Sequence, residues 1–208
     1  MAKSLPFRLI LASGSRGRRL LLEQAGYSFD ILPANIDEPT DAPAGDIRRY
    51  VAETAWRKAA AVAGQVDSGI IIAADTVGWH RGQVVGKPDD ADHARRILRS
   101  LSGQEHELWT GLVLWRRPDD AQLARQVQSR LFMRPLSEAD LDAYIASNRW
   151  VGASGAYAME SANDPILTLL AGSYSNVVGL PLETLEADLL HLWQLPRHDP
   201  PTDTLAHP

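Results

Sequence analysis

Apolar and polar residues alternate along this chain in blocks of the lengths that strands and helices need. Apolar residues at 7–12, interrupted by Arg8, and a continuous apolar run at 70–74 predict two buried strands. Between the candidate caps Asp89 or Asp90 and the stop at Gly103, apolar residues recur three and four positions apart and predict an amphipathic helix. Strands that alternate with helices favour an α/β or mixed fold over a helix bundle or a β-sandwich.

The remaining pattern predicts one domain followed by a tail. A second helix is expected over residues 46–63, because Asp46 can cap its first turn and Gly64 can stop its last. Prolines at 196, 200, 201 and 208 predict a disordered tail at 196–208, which leaves residues 1–195 as the domain. The other expected elements are a hairpin over residues 79–85, antiparallel strands at about 107–115 and 124–133, a helix capped by Ser137, a strand near 166–170, a turn at 172–176 and a last helix from about Leu182.

Composition narrows the possible functions. The chain has 208 residues, of which 45% are hydrophobic and 23% charged, as in a globular protein with a substantial core. The absence of cysteine excludes thiolate metal sites and thiol nucleophiles. A net charge of -5 argues against a broad nucleic-acid-binding face, and no apolar run approaches the roughly 20 residues that span a bilayer. We therefore expect a cytoplasmic protein with neither nucleic acid nor membrane as partner.

The loop at residues 13–19 is the first candidate site. Ser13, the glycines and Arg16, Arg18 and Arg19 stand where the first strand gives way to a helix. Free backbone N–H groups, the positive end of the helix dipole and guanidinium groups together suit a polyphosphate. The spacing is not that of a Walker A loop, and a solvated helix start with ordinary arginines is the alternative.

Asp75 and Thr76 form the second candidate, at the expected end of the apolar strand 70–74. Open α/β sheets bind ligands at such strand ends, and a buried carboxylate needs a cation or hydrogen-bond donors. Asp75 could therefore bind a divalent metal or accept a proton from water, and the sequence leaves both roles open. The alternative is an aspartate that caps the following turn.

Two lysines are further candidates. Lys87 lies in a Gly-Lys-Pro turn at the far end of the expected hairpin, which can bring it back towards Asp75. Lys58 lies on the expected second helix, and either lysine could instead be an ordinary surface residue. The six histidines show no metal-ligand spacing, and no GxSxG motif supports a serine hydrolase.

Taken in order, these segments resemble the Maf family of nucleoside triphosphate pyrophosphatases. The resemblance covers nearly everything before the tail, and the shared order and spacing of its pieces make it specific. The matching motifs are Leu9-Ile-Leu-Ala-Ser-Gly-Ser, Arg18-Arg19, Leu21-Leu22-Glu-Gln-Ala-Gly26, Ile36-Asp37-Glu38-Pro39, Lys58-Ala59, Ala74-Asp75-Thr76, Gly86-Lys87-Pro88, Leu101-Ser-Gly103, Thr110-Gly111, Tyr144-Ile-Ala-Ser147, Gly155-Ala-Tyr157 and Tyr174-Ser-Asn-Val-Val-Gly-Leu-Pro181.

The resemblance implies a fold, a reaction and a set of site residues. The implied fold is a mixed α/β sheet with helices on both sides, arranged as two lobes around a central cleft, in a protein that is usually a homodimer. The implied reaction hydrolyses a nucleoside triphosphate to the monophosphate and pyrophosphate with a divalent cation, Mg²⁺ or Mn²⁺. The implied site has Ser13, Arg18, Arg19, Lys58, Thr76, Lys87 and Glu160 on the substrate, Asp75 as the catalytic carboxylate that accepts a proton, and Glu38 with Asp75 as acidic residues that could hold the metal.

The chain also departs from the family pattern. Arg16 replaces the usual proline of the loop, and Gly17 stands where members that act on dTTP and UTP carry arginine. Those members share Asp75-Thr76 but have Gly-Ile-Gln in place of Ala158-Met159-Glu160, whereas glutamate at the position of Glu160 resembles members that prefer 7-methyl-GTP. The base preference therefore stays open, and the altered loop favours an alternative function, a nucleotide-binding regulator of cell division with little or no turnover.

Overall fold

The structure is a computed structural model that describes residues 3, 5–37, 46–159, 161 and 163–197. Its strands are β1 (Leu9–Leu11), β2 (Asp30–Ile31), β3 (Gly69–His80), β4 (Gln83–Val85), β5 (Glu105–Arg117), β6 (Gln122–Met133) and β7 (Leu167–Ala171). Its α-helices are α1 (Arg16–Gln24), α2 (Ile47–Ala63), α3 (Ala91–Leu101), α4 (Glu138–Ala146), α5 (Tyr174–Val178) and α6 (Leu182–Gln194), with one 3₁₀ turn at Ser154–Ala156.

The strands form one mixed sheet in the order β2-β1-β3-β5-β6-β7, with β4 paired to the far end of β3. β1 runs parallel to β2 and β3, and the pairs from β3 to β7 are antiparallel. Helices cover both faces. α2 packs on one face through Ala55, Ala59 and Val62, and α1 and α6 pack on the other, against residues such as Ile72 and Leu114. This confirms the expected mixed α/β fold with helices on both sides of the sheet.

A separate apolar core lies towards the other end of the long strands. There α3 and α4 pack against Leu108 of β5 and Leu131 and Met133 of β6, together with residues that follow α4. The long antiparallel strands therefore join two packed regions, and the cleft described below has walls from both. No helix in the described part of the chain is long and apolar enough to cross a membrane.

α2 lies unusually close to the sheet at Gly111. A Cβ atom on this glycine would stand 2.0 Å from the backbone oxygen of Val51, so the helix backbone occupies the space of a side chain. Gly111 is paired with Asp75 in the register of β3 and β5. Because residues seven positions apart share a helix face, Lys58 faces the sheet as Val51 does. The close approach thus brings the Lys58 side of α2 to the part of the sheet that carries Asp75.

Several expected elements are confirmed at their predicted places. Asp46 caps α2, Asp90 caps α3, and Ser137 caps α4 through a capping box with Asp140. The hairpin turns at Arg81 and Gly82, which both have positive φ, as a tight two-residue turn requires. Each of these features depends on residues close together in sequence, which is why the pattern alone predicted them.

Two expectations are wrong. β3 does not end at Asp75 but continues to His80, because β5 pairs with it from Gly69 to Trp79. Residues 172–176 do not form a simple turn, since α5 begins at Tyr174 after the N-cap Ser173. The expected tail lies almost wholly outside the described residues, which end at Arg197.

Candidate active site

A cleft of about 1270 Å³ lies at the point where β1 stops and β3 continues. The last pair between these parallel strands is Leu11 with Ile72, so beyond it the edge of β3 faces the loop that follows β1. α/β sheets commonly bind ligands at an opening of this kind. Asp75 therefore lies at the expected ligand-binding position, although its strand does not end there. Residues 12–18, 75–77, 86–87, 148–149, 151–154, 157–159 and 177–179 contribute to the walls.

The loop after β1 forms one wall and leads into α1. Ser15 is the N-cap, its hydroxyl accepting a hydrogen bond from the backbone N–H of Arg18. Ser13 is buried, and its hydroxyl accepts from the backbone N–H of Ser15 at 3.2 Å. The first turn of α1 lines the cleft, and the positive end of a helix dipole can stabilise an anion there.

Close packing explains why a glycine occupies position 17 of this loop. A Cβ atom at this position would stand 3.1 Å from both Cγ1 and the backbone oxygen of Val178, at the end of α5. Such a contact is tighter than an ordinary van der Waals contact, so α1 and α5 approach more closely than a larger residue would readily permit. Gly17, which departs from the family pattern, thus lies where two helices that border the cleft pack closely.

The guanidinium group of Arg18 joins three elements around the cleft. Its Nη1 donates to the hydroxyl of Ser13 at 3.0 Å, and its Nη2 donates to the hydroxyl of Thr76 at 3.3 Å. Its Nε donates to the backbone oxygen of Gly179 at 2.8 Å. Arg18 therefore fixes the loop after β1 against β3 and the end of α5, and it lines the cleft while doing so.

Lys58 and Asp75 form a buried ion pair across the α2–β3 contact. The ammonium of Lys58 donates to Oδ1 of Asp75 at 2.7 Å, and the exposed fractions of the two side chains are 9% and 7%. Oδ2 of Asp75 is buried and has no hydrogen-bond partner among the described residues. A carboxylate oxygen left without donors in this way is destabilised unless a water or a cation meets it, so this oxygen marks a position for a ligand.

Thr76 is held beside this ion pair. Its hydroxyl lies 2.9 Å from that of Thr110 on β5 and donates to the backbone oxygen of Gly179 at 3.3 Å. Thr110 is the register partner of Thr76, so the contact follows directly from strand pairing. Thr110 and Gly179 were not expected as site residues, although the antiparallel pairing of two strands would identify Thr110 once its register was known.

The structure brings together most of the expected site residues. Ser13, Arg18, Lys58, Asp75, Thr76 and Lys87 all line the cleft. In the β3–β4 hairpin, Gly78 pairs with Val85, so the chain runs back along β3. Lys87 follows Val85 by two residues and therefore returns towards the cleft, as expected from the sequence. Arg19 is not part of this group, since its side chain is about half exposed and pairs with Glu23 at 3.5 Å. Glu38 and Glu160 lie outside the described residues.

The described residues suit a cation that is held partly by its substrate. They contain no group of three or more histidine, aspartate or glutamate side chains arranged for a metal ion. Mg²⁺ in nucleotide sites commonly uses one or two carboxylates together with phosphate oxygens and water. Asp75, with its unpartnered Oδ2, satisfies the protein part of that requirement, so the residues present fit such a cation.

Comparisons with known proteins identify the family of this chain. Residues 8–192 match the family model described as Maf-like protein. A protein named dTTP/UTP pyrophosphatase from Rhodopirellula baltica is 43% identical over 190 residues, which cover 89% of this chain and 82% of the relative. A protein of the same name from Geobacter sulfurreducens is 36% identical, with 90% of this chain and 98% of the relative covered.

A solved structure shares the fold. The Staphylococcus aureus Ham1 protein superposes with a TM-score of 0.52 and 11% sequence identity, covering 88% of this chain and 98% of the other. The family match includes β1, β3, α5 and all the described residues that line the cleft. The chain therefore belongs to the Maf-like protein family.

Proposed function

We propose that this protein is a nucleoside triphosphate pyrophosphatase that hydrolyses dTTP and UTP to the nucleoside monophosphate and pyrophosphate. The observation that carries the proposal is the buried Lys58–Asp75 pair, whose second carboxylate oxygen has no partner among the described residues. The pair lies in a cleft that the N-terminal turn of α1 also lines. The substrate is suggested by the relatives, which are named dTTP/UTP pyrophosphatase and match most of both chains.

The phosphates are expected along the wall formed by the loop after β1. Ser13 and the first N–H groups of α1 supply hydrogen-bond donors, and Lys58 and Lys87 supply positive charge. Positioning and charge stabilisation are the main contributions a protein makes to phosphoryl transfer. Asp75 lines the same cleft, so a triphosphate bound at this wall is expected to present its α-phosphorus to Asp75.

In the proposed reaction, the oxygen of a water molecule forms a bond to the α-phosphorus in line with the leaving group. The bond from that phosphorus to the α–β bridging oxygen breaks, and pyrophosphate leaves with the bond's electron pair. Asp75 accepts the proton of the attacking water through Oδ2, while Lys58 holds Oδ1 and fixes the carboxylate plane. Lys87 and the donors of the loop offset the charge that develops on the leaving pyrophosphate.

Asp75 and Glu38 are the residues that would hold a divalent cation, Mg²⁺ or Mn²⁺. When bound, such a cation would neutralise negative charge on the phosphate oxygens. The proposed role of Oδ2 of Asp75 as proton acceptor is tested against the role of cation ligand through Mn²⁺ binding, measured by electron paramagnetic resonance. Loss of Mn²⁺ affinity in Asp75→Asn assigns Oδ2 as a ligand, and retained affinity with lost turnover assigns it as the proton acceptor.

The deciding experiment incubates the purified protein with dTTP, UTP, 7-methyl-GTP and the common triphosphates in the presence of Mg²⁺ or Mn²⁺. We expect pyrophosphate as the inorganic product, with dTTP and UTP turned over fastest. Release of single phosphate would identify a different hydrolase, and tight binding without product would favour a nucleotide-binding regulator. A fastest rate with 7-methyl-GTP would contradict the substrate while leaving the reaction class intact.

The homodimer and the arrangement of residues 1–195 as one domain of two lobes remain predictions from the resemblance. Light scattering on the purified protein measures the first. Limited proteolysis tests the second, because one domain should resist cleavage as a unit up to the proline-rich end.

A further inference from the structure

Tyr157 and His106 form a buried pair behind the cleft, apart from the groups assigned to the phosphates. The exposed fractions of the two residues are 3% and 4%, and the phenol oxygen of Tyr157 lies 2.7 Å from Nε2 of His106. The rings meet edge to face, with 5.3 Å between centroids. His106 belongs to β5, whereas Tyr157 also lines the cleft, so the pair connects the sheet to a cleft wall.

Both partners of this pair stay uncharged near neutral pH. Burial lowers the pKa of His106 to about 4, an effect that the backbone of Gln104 partly opposes. Burial also raises the pKa of Tyr157, so the phenol keeps its proton. The contact is therefore a hydrogen bond between neutral groups in an apolar environment, where loss of either partner leaves the other unsatisfied.

Residues 154–157, which we call the 154–157 segment, touch the chain on either side of the proposed reacting groups. The hydroxyl of Ser154 donates to the backbone oxygen of Thr76 at 3.0 Å, directly after Asp75. The backbone N–H of Gly155 donates to the backbone oxygen of Gly86 at 3.0 Å, directly before Lys87. The segment thus links the strand that carries Asp75 to the turn that carries Lys87.

The segment holds this position in an unfavourable backbone conformation. Gly155 has φ 78°, and the following Ala156 is buried with φ 59°, a left-handed conformation that residues with a Cβ seldom adopt. A Cβ atom on Gly155 would stand 2.7 Å from the ring of Tyr157, so the aromatic ring lies directly on the glycine. Such a conformation persists where surrounding contacts fix it, and the His106–Tyr157 bond fixes the C-terminal end of this one.

We propose that His106 and Tyr157 are positioning residues for the hydrolysis, which fix the 154–157 segment and through it the relative positions of Asp75 and Lys87. This inference rests on the proposed function. It assigns neither residue a contact with the substrate's reacting atoms. Its physical basis is that displacement of catalytic groups by even an ångström can lower turnover strongly while the binding surface remains in place.

The test compares steady-state dTTP hydrolysis by the wild-type protein and five variants, four with single substitutions and one that combines Tyr157→Phe with His106→Ala. Tyr157→Phe removes one hydroxyl and keeps the ring, and His106→Ala removes the other partner. His106→Gln keeps a polar group near the position of Nε2. The matched control is Tyr27→Phe, because Tyr27 is also buried and its hydroxyl contacts Lys3 and Glu186, which do not line the cleft.

We expect Tyr157→Phe and His106→Ala each to lower kcat about 10-fold with KM within about twofold of wild type. The double variant should be no slower than either single one, because one bond is lost in all three. His106→Gln should recover most of kcat. Tyr27→Phe should keep the wild-type kcat even where its melting temperature falls as far as that of Tyr157→Phe.

An unchanged kcat in Tyr157→Phe would overturn the inference, and so would an equal fall in Tyr27→Phe, because a general loss of stability would then explain the effect. The proposed function itself is tested by the wild-type protein in the same assay. Absence of pyrophosphate there removes the reaction and this inference with it, whereas active wild type with insensitive variants removes the inference alone.

Discussion

The ammonium nitrogen of Lys58 lies 2.7 Å from Oδ1 of Asp75, and more than nine-tenths of each side chain is buried. Each residue comes from a different element, Lys58 from α2 and Asp75 from β3. The contact exists because the backbone of α2 rests on Gly111, the register partner of Asp75. The proposed catalytic position Asp75 is thereby linked to a packing requirement at Gly111 on the neighbouring strand.

Replacing Lys58 should strongly destabilise the protein. Lys58→Met removes the cation and leaves a buried carboxylate without compensation, a change that typically costs about 3–5 kcal/mol of unfolding free energy. Urea denaturation near pH 7 measures the loss. The double variant Lys58→Met with Asp75→Asn carries no buried charge and should recover part of that stability. Equal stability of the single and double variants would contradict a direct interaction between these two charges.

Asp75→Asn alone should separate binding from catalysis. The amide keeps the size of the side chain but cannot accept the proton of water, so we expect turnover to fall on the order of 100-fold or more. Nucleotide affinity, measured by calorimetry, should change far less. The folded state of the variant is checked by its melting temperature. Turnover near that of wild type would remove Asp75 from the proposed mechanism.

The difference between local and distant contacts explains how much of this site the sequence predicts. Asp46, Asp90 and Ser137 cap helices within three residues of themselves, and each is found at its expected place. The expected strand end at Asp75 is wrong because the continuation of the strand depends on pairing with β5, about thirty positions further along the chain. The sequence indicates where a carboxylate follows an apolar run but not which strand will pair beyond it.

The hydrogen bonds of Arg18 show the same limit at the site itself. A cluster of arginines at a helix start predicts an anion site, and both Arg18 and Arg19 fit that pattern. In the folded chain Arg18 contacts Ser13, Thr76 and Gly179, whereas Arg19 pairs with Glu23 on the exposed side of α1. Adjacent helix residues point about 100° apart, so only the orientation of α1 on the sheet separates the two roles.

Arg18→Lys and Arg19→Lys form a matched pair of variants. Both keep a positive charge, but lysine cannot reproduce the three directed bonds of Arg18 to Ser13, Thr76 and Gly179. We expect kcat/KM for dTTP to fall about 10-fold or more in Arg18→Lys and to stay within about twofold in Arg19→Lys. A comparable fall in both would show that Arg19 also reaches the substrate.

Gly111 should tolerate no side chain. In Gly111→Ala the new Cβ would meet the backbone oxygen of Val51 at 2.0 Å, so α2 must move away from the sheet and carry Lys58 with it. We expect a loss of about 3 kcal/mol or more in unfolding free energy, together with weaker turnover. Gly64→Ala is the control, since no atom lies within 4 Å of its Cβ position. A Gly111→Ala protein as stable as Gly64→Ala would contradict the close approach of α2.

His106 should make the stability of the fold depend on pH in a defined window. Burial lowers the pKa of His106 from its ordinary value of 6.5 to about 4, so the folded state binds the proton less tightly than the unfolded chain. The unfolding free energy should therefore fall as the pH drops from about 6.5 to about 4, by ~3 kcal/mol in all. Above that window the imidazole is neutral in both states and contributes no slope.

The measurement that isolates His106 is urea denaturation across this window for the wild-type protein and His106→Gln. Carboxylates whose pKa is lowered by ion pairs, such as Glu138 beside Arg99, lose their stabilising effect mainly at lower pH and are present in both proteins. We expect the wild-type curve to fall more steeply than that of the variant between pH 6.5 and 4, because the glutamine cannot take up a proton there. Parallel curves would show that His106 is protonated as easily in the folded protein as in the unfolded chain, which is incompatible with its burial against Tyr157.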